Sequence, residues 1–143
     1  MHVAFALFAD AANLSQEGKL NILGVFDALH VGQTPIVHPR AHLVVRFKAT
    51  PEDAGVHALG FQWVAPDGTE LWSTAGELEV SLPPPGVLDM DVPFIAAVDL
   101  PIPEAGSYRM HVLLDGAPAE EVEVDVHDES RYGMSPRPNT IVS

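Results

Sequence analysis

Two dipeptides constrain this chain more than any other feature. Asp67-Gly68 and Asp115-Gly116 each separate two apolar-rich runs, "HALGFQWVAP" from "TELWSTAGELEV" and "SYRMHVLL" from "APAEEVEVDV". A two-residue hairpin turn needs backbone conformations that Asp and Gly tolerate, so this pattern is a strong short-range mark of a β-hairpin. The last run alternates cleanly. Val122, Val124 and Val126 point one way, and Glu121, Glu123 and Asp125 the other. That is a strand with one dry and one wet face.

The rest of the chain reads the same way. Eight strands are predicted, at 3–10, 20–31, 42–50, 57–65, 69–81, 90–98, 107–114 and 118–127. Leu43, Val45 and Phe47 share one face, as do Val92, Phe94, Ala96 and Val98, with Pro93 favouring an edge or bulge. Leu71, Leu78, Val80 and Leu82 are core candidates. Their phase slips between Leu71 and Leu78, which predicts a bulge near Ala75-Gly76. Tyr108 follows Gly106 at the start of a late strand, as in a tyrosine corner, and Trp63 is a candidate for the core centre. The expected fold is an all-β antiparallel β-sandwich of about eight strands, an Ig-like or C2-like Greek key.

With 143 residues, the chain suits a single β-sandwich domain over 1–127 followed by a C-terminal tail, 128–143, whose "NTIVS" suits pairing with an exposed edge. No cysteine is present, which removes disulfides, thiolate metal sites and cysteine nucleophiles. The formal charge is −13, from 20 acids against 7 Lys and Arg. Such a surface repels phosphate backbones and anionic membranes, so neither nucleic acid nor membrane is an expected partner. A basic protein partner or a cation fits better. The N-terminal apolar run lacks a basic leader, Asp10 interrupts it, and no stretch nears the ~18 apolar residues of a span. A cytoplasmic protein is the expectation.

Candidate chemistry is sparse, and neither an enzyme nor a cofactor is expected. On a strand, His38 and His42 would share a face about 13 Å apart, too far for one metal. His111 and His127 meet only if strand register allows. Asp89 and Asp91 in "LDMD", with Asp99, Asp115, Asp125 and Asp128, are the nearest approach to a Ca²⁺ loop, without the density of carboxylates such a loop needs. Asp10, Ser15, Glu17 and Lys19 crowd one turn, but no nucleophile elbow or phosphate loop accompanies them. "LPPPG" at 82–86 reads as a stiff spacer. Trp72, followed by polar residues, is the candidate platform for a small ligand or carbohydrate.

The run at 20–31 is apolar on both sides. Leu20, Ile22 and Phe26 face one way, and Leu23, Val25, Leu29 and Val31 the other. A strand apolar on both faces is either covered or part of an interface. The second set is therefore the candidate interface. The expected function is a non-catalytic structural or protein-interaction module that self-associates or binds a partner. The alternative is a small-ligand or carbohydrate-binding sandwich, with or without Ca²⁺.

"ADAANLSQEGKLNILGVFDAL", "PIVHPRAHLVVRFKATPEDAG", "VAPDGTEL" and "PEAGSYRMHVLLDG" together resemble a bacterial family of β-sandwich domains of unknown function, DUF6941, over residues 3–127. The most specific part is "GKLNILGVFD" with "AD-x-AN", Ala9–Asn13, upstream. The resemblance implies a β-sandwich and a prokaryotic origin. It brings no catalytic residue, cofactor or ligand.

Overall fold

Alternating apolar residues build two sheets that bury their dry faces against each other. The structure, a computed structural model, describes residues 1–129. In chain order the strands are β1 (His2–Leu14), β2 (Leu20–Phe26), β3 (Ala28–Val31), β4 (Ile36–Ala49), β5 (Gly55–Val64), β6 (Glu70–Val80), β7 (Met90–Ile102), β8 (Gly106–Leu114) and β9 (Ala117–Asp128), with a 3-10 turn at Pro51–Asp53. One sheet has the order β2-β1-β4-β7 and the other β3-β9-β8-β5-β6. The β3–β9 pairing is parallel, and the remaining pairings are antiparallel.

Both Asp-Gly turns close hairpins. Asp115 and Gly116 have φ of 51° and 80°, the two positive values a type I′ turn requires. The Asp115 carboxylate accepts the Ala58 N–H at 3.0 Å, which ties the turn to β5. Gly68 has φ 92°, and the Thr69 N–H donates to Asp67 Oδ1 at 2.9 Å.

The core lies between the sheets. Val122, Val124 and Val126 are buried while Glu121, Glu123 and Asp125 are exposed; Leu43, Val45 and Phe47 are also buried. Trp63 is fully buried. It stacks on Tyr108 with ring centroids 5.2 Å apart and meets Phe8 edge-on at 6.0 Å. The Tyr108 hydroxyl donates to the Glu104 carbonyl at 2.6 Å and accepts the Glu104 N–H at 3.1 Å. This is a tyrosine corner.

Four expectations are corrected. The predicted strand 20–31 is two strands. The chain crosses between sheets at Asp27, whose carbonyl accepts the Asp125 N–H at 2.9 Å. The run is apolar on both sides, and Leu23, Val25, Leu29 and Val31 keep one phase across Asp27, so periodicity alone does not reveal the crossing. Second, β4 begins at Ile36 rather than residue 42. β1 covers β4 only from His42 onward, so Pro39, which has no N–H to give, meets no second neighbour. Third, the bulge in β6 falls at Leu71, not at Ala75-Gly76: pairing with β5 is continuous from Val80 to Trp72 and then skips to Glu70. Fourth, Leu82 is exposed because β6 has already ended at Val80. Pro93 does lie on an edge strand, as expected. Of the proposed tail, Asp128 ends β9 and Glu129 follows it; residues 130–143, with "NTIVS", lie outside the described residues.

Candidate functional site

The four candidate interface residues do not form one surface. Leu23 and Val25, 72% and 60% exposed, lie on β2 opposite Ala11 and Ala9 of β1. Leu29 packs partly buried against the core, and Val31 is 8% exposed within it. The crossing at Asp27 explains the split. The side that faces solvent in β2 faces the core once the chain has joined the other sheet.

Polar candidates are engaged in structural contacts. Ser15 shapes the β1–β2 turn, its Oγ accepting the N–H groups of Glu17 at 3.2 Å and Lys19 at 3.1 Å. Asp10, contrary to expectation, does not join this turn: it lies farther along the β1–β2 ladder, between the Ala9–Val25 and Ala11–Leu23 pairs, facing Gly24, whose φ is 73° and where a Cβ would overlap the Asp10 carboxylate. Asp91 is ion-paired to Arg46, and to Lys48 at 2.6 Å, with Asp89 3.5 Å from Lys48. These cations, Arg46 first, hold the Asp91 carboxyl below its ordinary range. A bulge between His38 and Ala41 turns His38 and His42 to opposite sides of β4. His38 meets Phe26 edge-on at 5.6 Å, and His42 Nδ1 is 3.2 Å from the Arg40 carbonyl. His127 stacks on His30 at 4.9 Å, whereas His111 is paired across from Glu121. Among the described residues, no three His, Asp or Glu side chains are arranged to hold a metal. Trp72 is half-buried, and its Nε1–H donates to the Asp99 carbonyl at 3.1 Å. Its polar edge is already committed.

One surface feature was missed from the sequence. Pro35, Ile36, Val37, Leu71, Pro101, Ile102 and Pro103 line a cleft of about 320 Å³ at the β4–β7 end of the molecule. Ile36 pairs with Ile102 and Val37 with Pro101, and the bulge at Leu71 brings in the opposite sheet. Ile36 and Val37 are 39% and 52% exposed. The signal for it in the sequence is the recurrence of apolar residues beside proline in "TPIV" and "LPIP". A second apolar cleft, about 230 Å³, opens between β6 and β7 beside the stacked Phe61 and Phe94.

A model of a family of unknown function, DUF6941, matches residues 4–127. The chain belongs to the DUF6941 family. No curated protein matches it. Among solved structures, this DUF6941 chain is similar to a Pseudomonas fluorescens alkylpurine DNA glycosylase, AlkC, bound to DNA containing an abasic site analog. The identity is 10% and the TM-score 0.42, over 85% of this chain and 30% of that one. It is also similar to an immunoglobulin-like protein (PA1606) from Pseudomonas aeruginosa, with 13% identity and a TM-score of 0.35, over 88% of this chain and 95% of that one. The DUF6941 chain thus spans less than a third of the glycosylase. Among its described residues, no helix is long and apolar enough to cross a membrane.

Among the described residues, His57 lies in a directed polar network. Its Nδ1 lies 2.7 Å from Asp115 Oδ2 and its Nε2 lies 2.6 Å from the Asp53 carbonyl. Two acceptors call for two N–H groups, so the geometry favours the imidazolium. Asp115 first, then the Asp53 carbonyl, raise the pKa of His57. His57 first, then the Ala58 N–H, lower that of Asp115. Because the His57 pKa is raised on folding, its contribution is complete below the unfolded value of about 6.5 and is lost as pH rises through the folded value. The Asp115 contribution is present above about 3.9 and is lost as pH falls through its lowered value. The stability gap between wild type and His57→Phe is therefore expected to be widest near pH 5–6 and to shrink in alkali. Urea titrations at pH 5.5 and pH 9 check this; a gap that widens at pH 9 contradicts the assignment.

Proposed function

We propose that this DUF6941 chain is a non-catalytic protein-interaction module whose contact element is the edge strand β2. The single observation that carries this reading is the lack of charge on that edge. An exposed sheet edge offers unpaired N–H and C=O groups to any extended chain, and proteins ordinarily blunt it with charge, proline or brevity. β7 carries Asp91, Pro93, Asp99 and Pro101; β6 carries Glu70, Glu77 and Glu79; β3 is four residues long. β2, "LNILGVF", has no charged residue, in a protein of net charge −13, and it exposes Leu23 and Val25. Strand addition at such an edge takes its affinity from the backbone and its selectivity from the alternate side chains.

The fold supports the same reading at a finer level. The order β3-β9-β8-β5-β6, β3 parallel to β9, and Tyr108 at the start of β8 fit an Ig-like Greek key, a scaffold compatible with many interaction roles.

The partner to be tested first is a second copy of the chain. Light scattering across a concentration series is expected to show self-association. Salt should strengthen it, because screening removes the repulsion between acidic copies. Leu23→Asp with Val25→Asp is expected to weaken association at least tenfold while leaving the exposed-site fold stability within about 1 kcal/mol. A wild type that stays monomeric at the highest concentration and salt, and takes up no partner from its native host, overturns the reading.

A further inference from the structure

We infer that the apolar cleft lined by the paired ends of β4 and β7 and by Leu71 of β6 is a docking site for this chain's own C-terminal segment, residues 130–143. The inference is independent of the role of β2. Three observations carry it.

The first is the chemistry of the cleft. No charged residue lines it, and three of its wall residues are prolines, which have no N–H to offer a polar ligand. Carboxylates follow or precede its walls directly in the chain: Glu70 adjoins Leu71, and Glu104 adjoins Pro103, both exposed. An apolar floor with an acidic rim suits an aliphatic or aromatic side chain accompanied by a cation.

The second is the charge division of the chain. All 20 acids lie within residues 1–129 alongside five cations, giving −15. The other two cations, Arg131 and Arg137, lie within 130–143, which has no acid and so carries +2. The same short segment, "SRYGMSPRPNTIVS", holds Tyr132, Met134, Ile141 and Val142. Its composition complements both the floor and the rim.

The third is where the segment starts. The Thr34 hydroxyl donates to Asp128 Oδ2 at 3.0 Å, and the next residue, Pro35, is part of the cleft wall. The end of β9 is thus pinned beside the cleft. At roughly 3.3 Å per residue the segment can span some tens of ångströms, more than the cleft requires.

The chain has no cysteine, so an engineered pair reports without background. Val37→Cys is combined with Met134→Cys or with Ile141→Cys in the full-length protein. Glu123→Cys, exposed on β9, the strand from which the segment leaves, replaces Val37→Cys as the control. With at least one of the two segment positions, the Val37 pair is expected to form an intramolecular disulfide at least tenfold faster than the corresponding control. Arg131→Glu with Arg137→Glu, or high salt, should reduce that advantage. Equal rates at Val37 and Glu123 for both positions overturn the proposal, as do disulfides that form only between two chains. An advantage indifferent to both charge reversal and salt overturns the electrostatic part of it.

Discussion

Trp63→Ala is expected to lower stability by about 3–5 kcal/mol, the largest effect of any single truncation proposed for this fold. Trp63 belongs to β5, stacks on Tyr108 of β8, and meets Phe8 of β1 in the opposite sheet. Its Nε1–H donates to the Pro101 carbonyl of β7 at 3.0 Å. One side chain therefore joins four strands and both sheets. Alanine would leave a cavity in close-packed surroundings and an unanswered carbonyl. Urea unfolding followed by far-UV circular dichroism measures the loss. A shift below about 1 kcal/mol would mean that the two sheets do not depend on this contact. Trp63→Phe separates the contributions: it keeps most of the volume and forfeits the hydrogen bond, and should fall well short of the alanine effect.

The second large effect is expected at Gly106, two residues before Tyr108. Its φ is 142°, and an added Cβ would lie 2.6 Å from Pro66 Cγ. A side chain there meets an unfavourable backbone region and a ring that has little freedom to yield. Gly106→Ala should cost on the order of 3 kcal/mol, combining backbone strain with overpacking. Because Gly106 pairs with Val126 where β8 begins, the strain should also reach the tyrosine corner. Amide hydrogen exchange at Glu104, whose N–H donates to the Tyr108 hydroxyl, checks this. An unchanged urea midpoint would show that Pro66 moves aside.

The strands could be read from the sequence because the core is built by alternation, which sequence displays directly. β9 and the second half of β4 are the clearest cases. Sheet membership is not displayed in that way. Leu23 and Val31 have the same phase, yet one is solvent-facing and the other is in the core, because Asp27 transfers the chain between sheets. The apolar cleft escaped for a related reason. Its walls come from residues 35–37, 71 and 101–103, and only the β4–β7 register and the β6 bulge bring them together. Proline is tolerated in these strands where no N–H is needed, on the edge strand β7 and in the part of β4 beyond the reach of β1. The polar candidates were easier to weigh. Ser15 and Asp67 sit in turns where short polar side chains ordinarily bind backbone N–H groups.

The parallel pairing of β3 with β9 sets a timetable for synthesis. Residues 28–31 find their ladder partners at 125–128, nearly a full domain later in the chain. While the chain is emerging, β1 and β2 can close their local hairpin, but β3 must wait for β9 to be made. During that wait the core-facing Leu29 and Val31 have no sheet to join, next to an edge without charge. Completion of β9 both closes the five-stranded sheet and removes this vulnerable apolar segment from solvent, so β9 acts as the fastener of the five-stranded sheet.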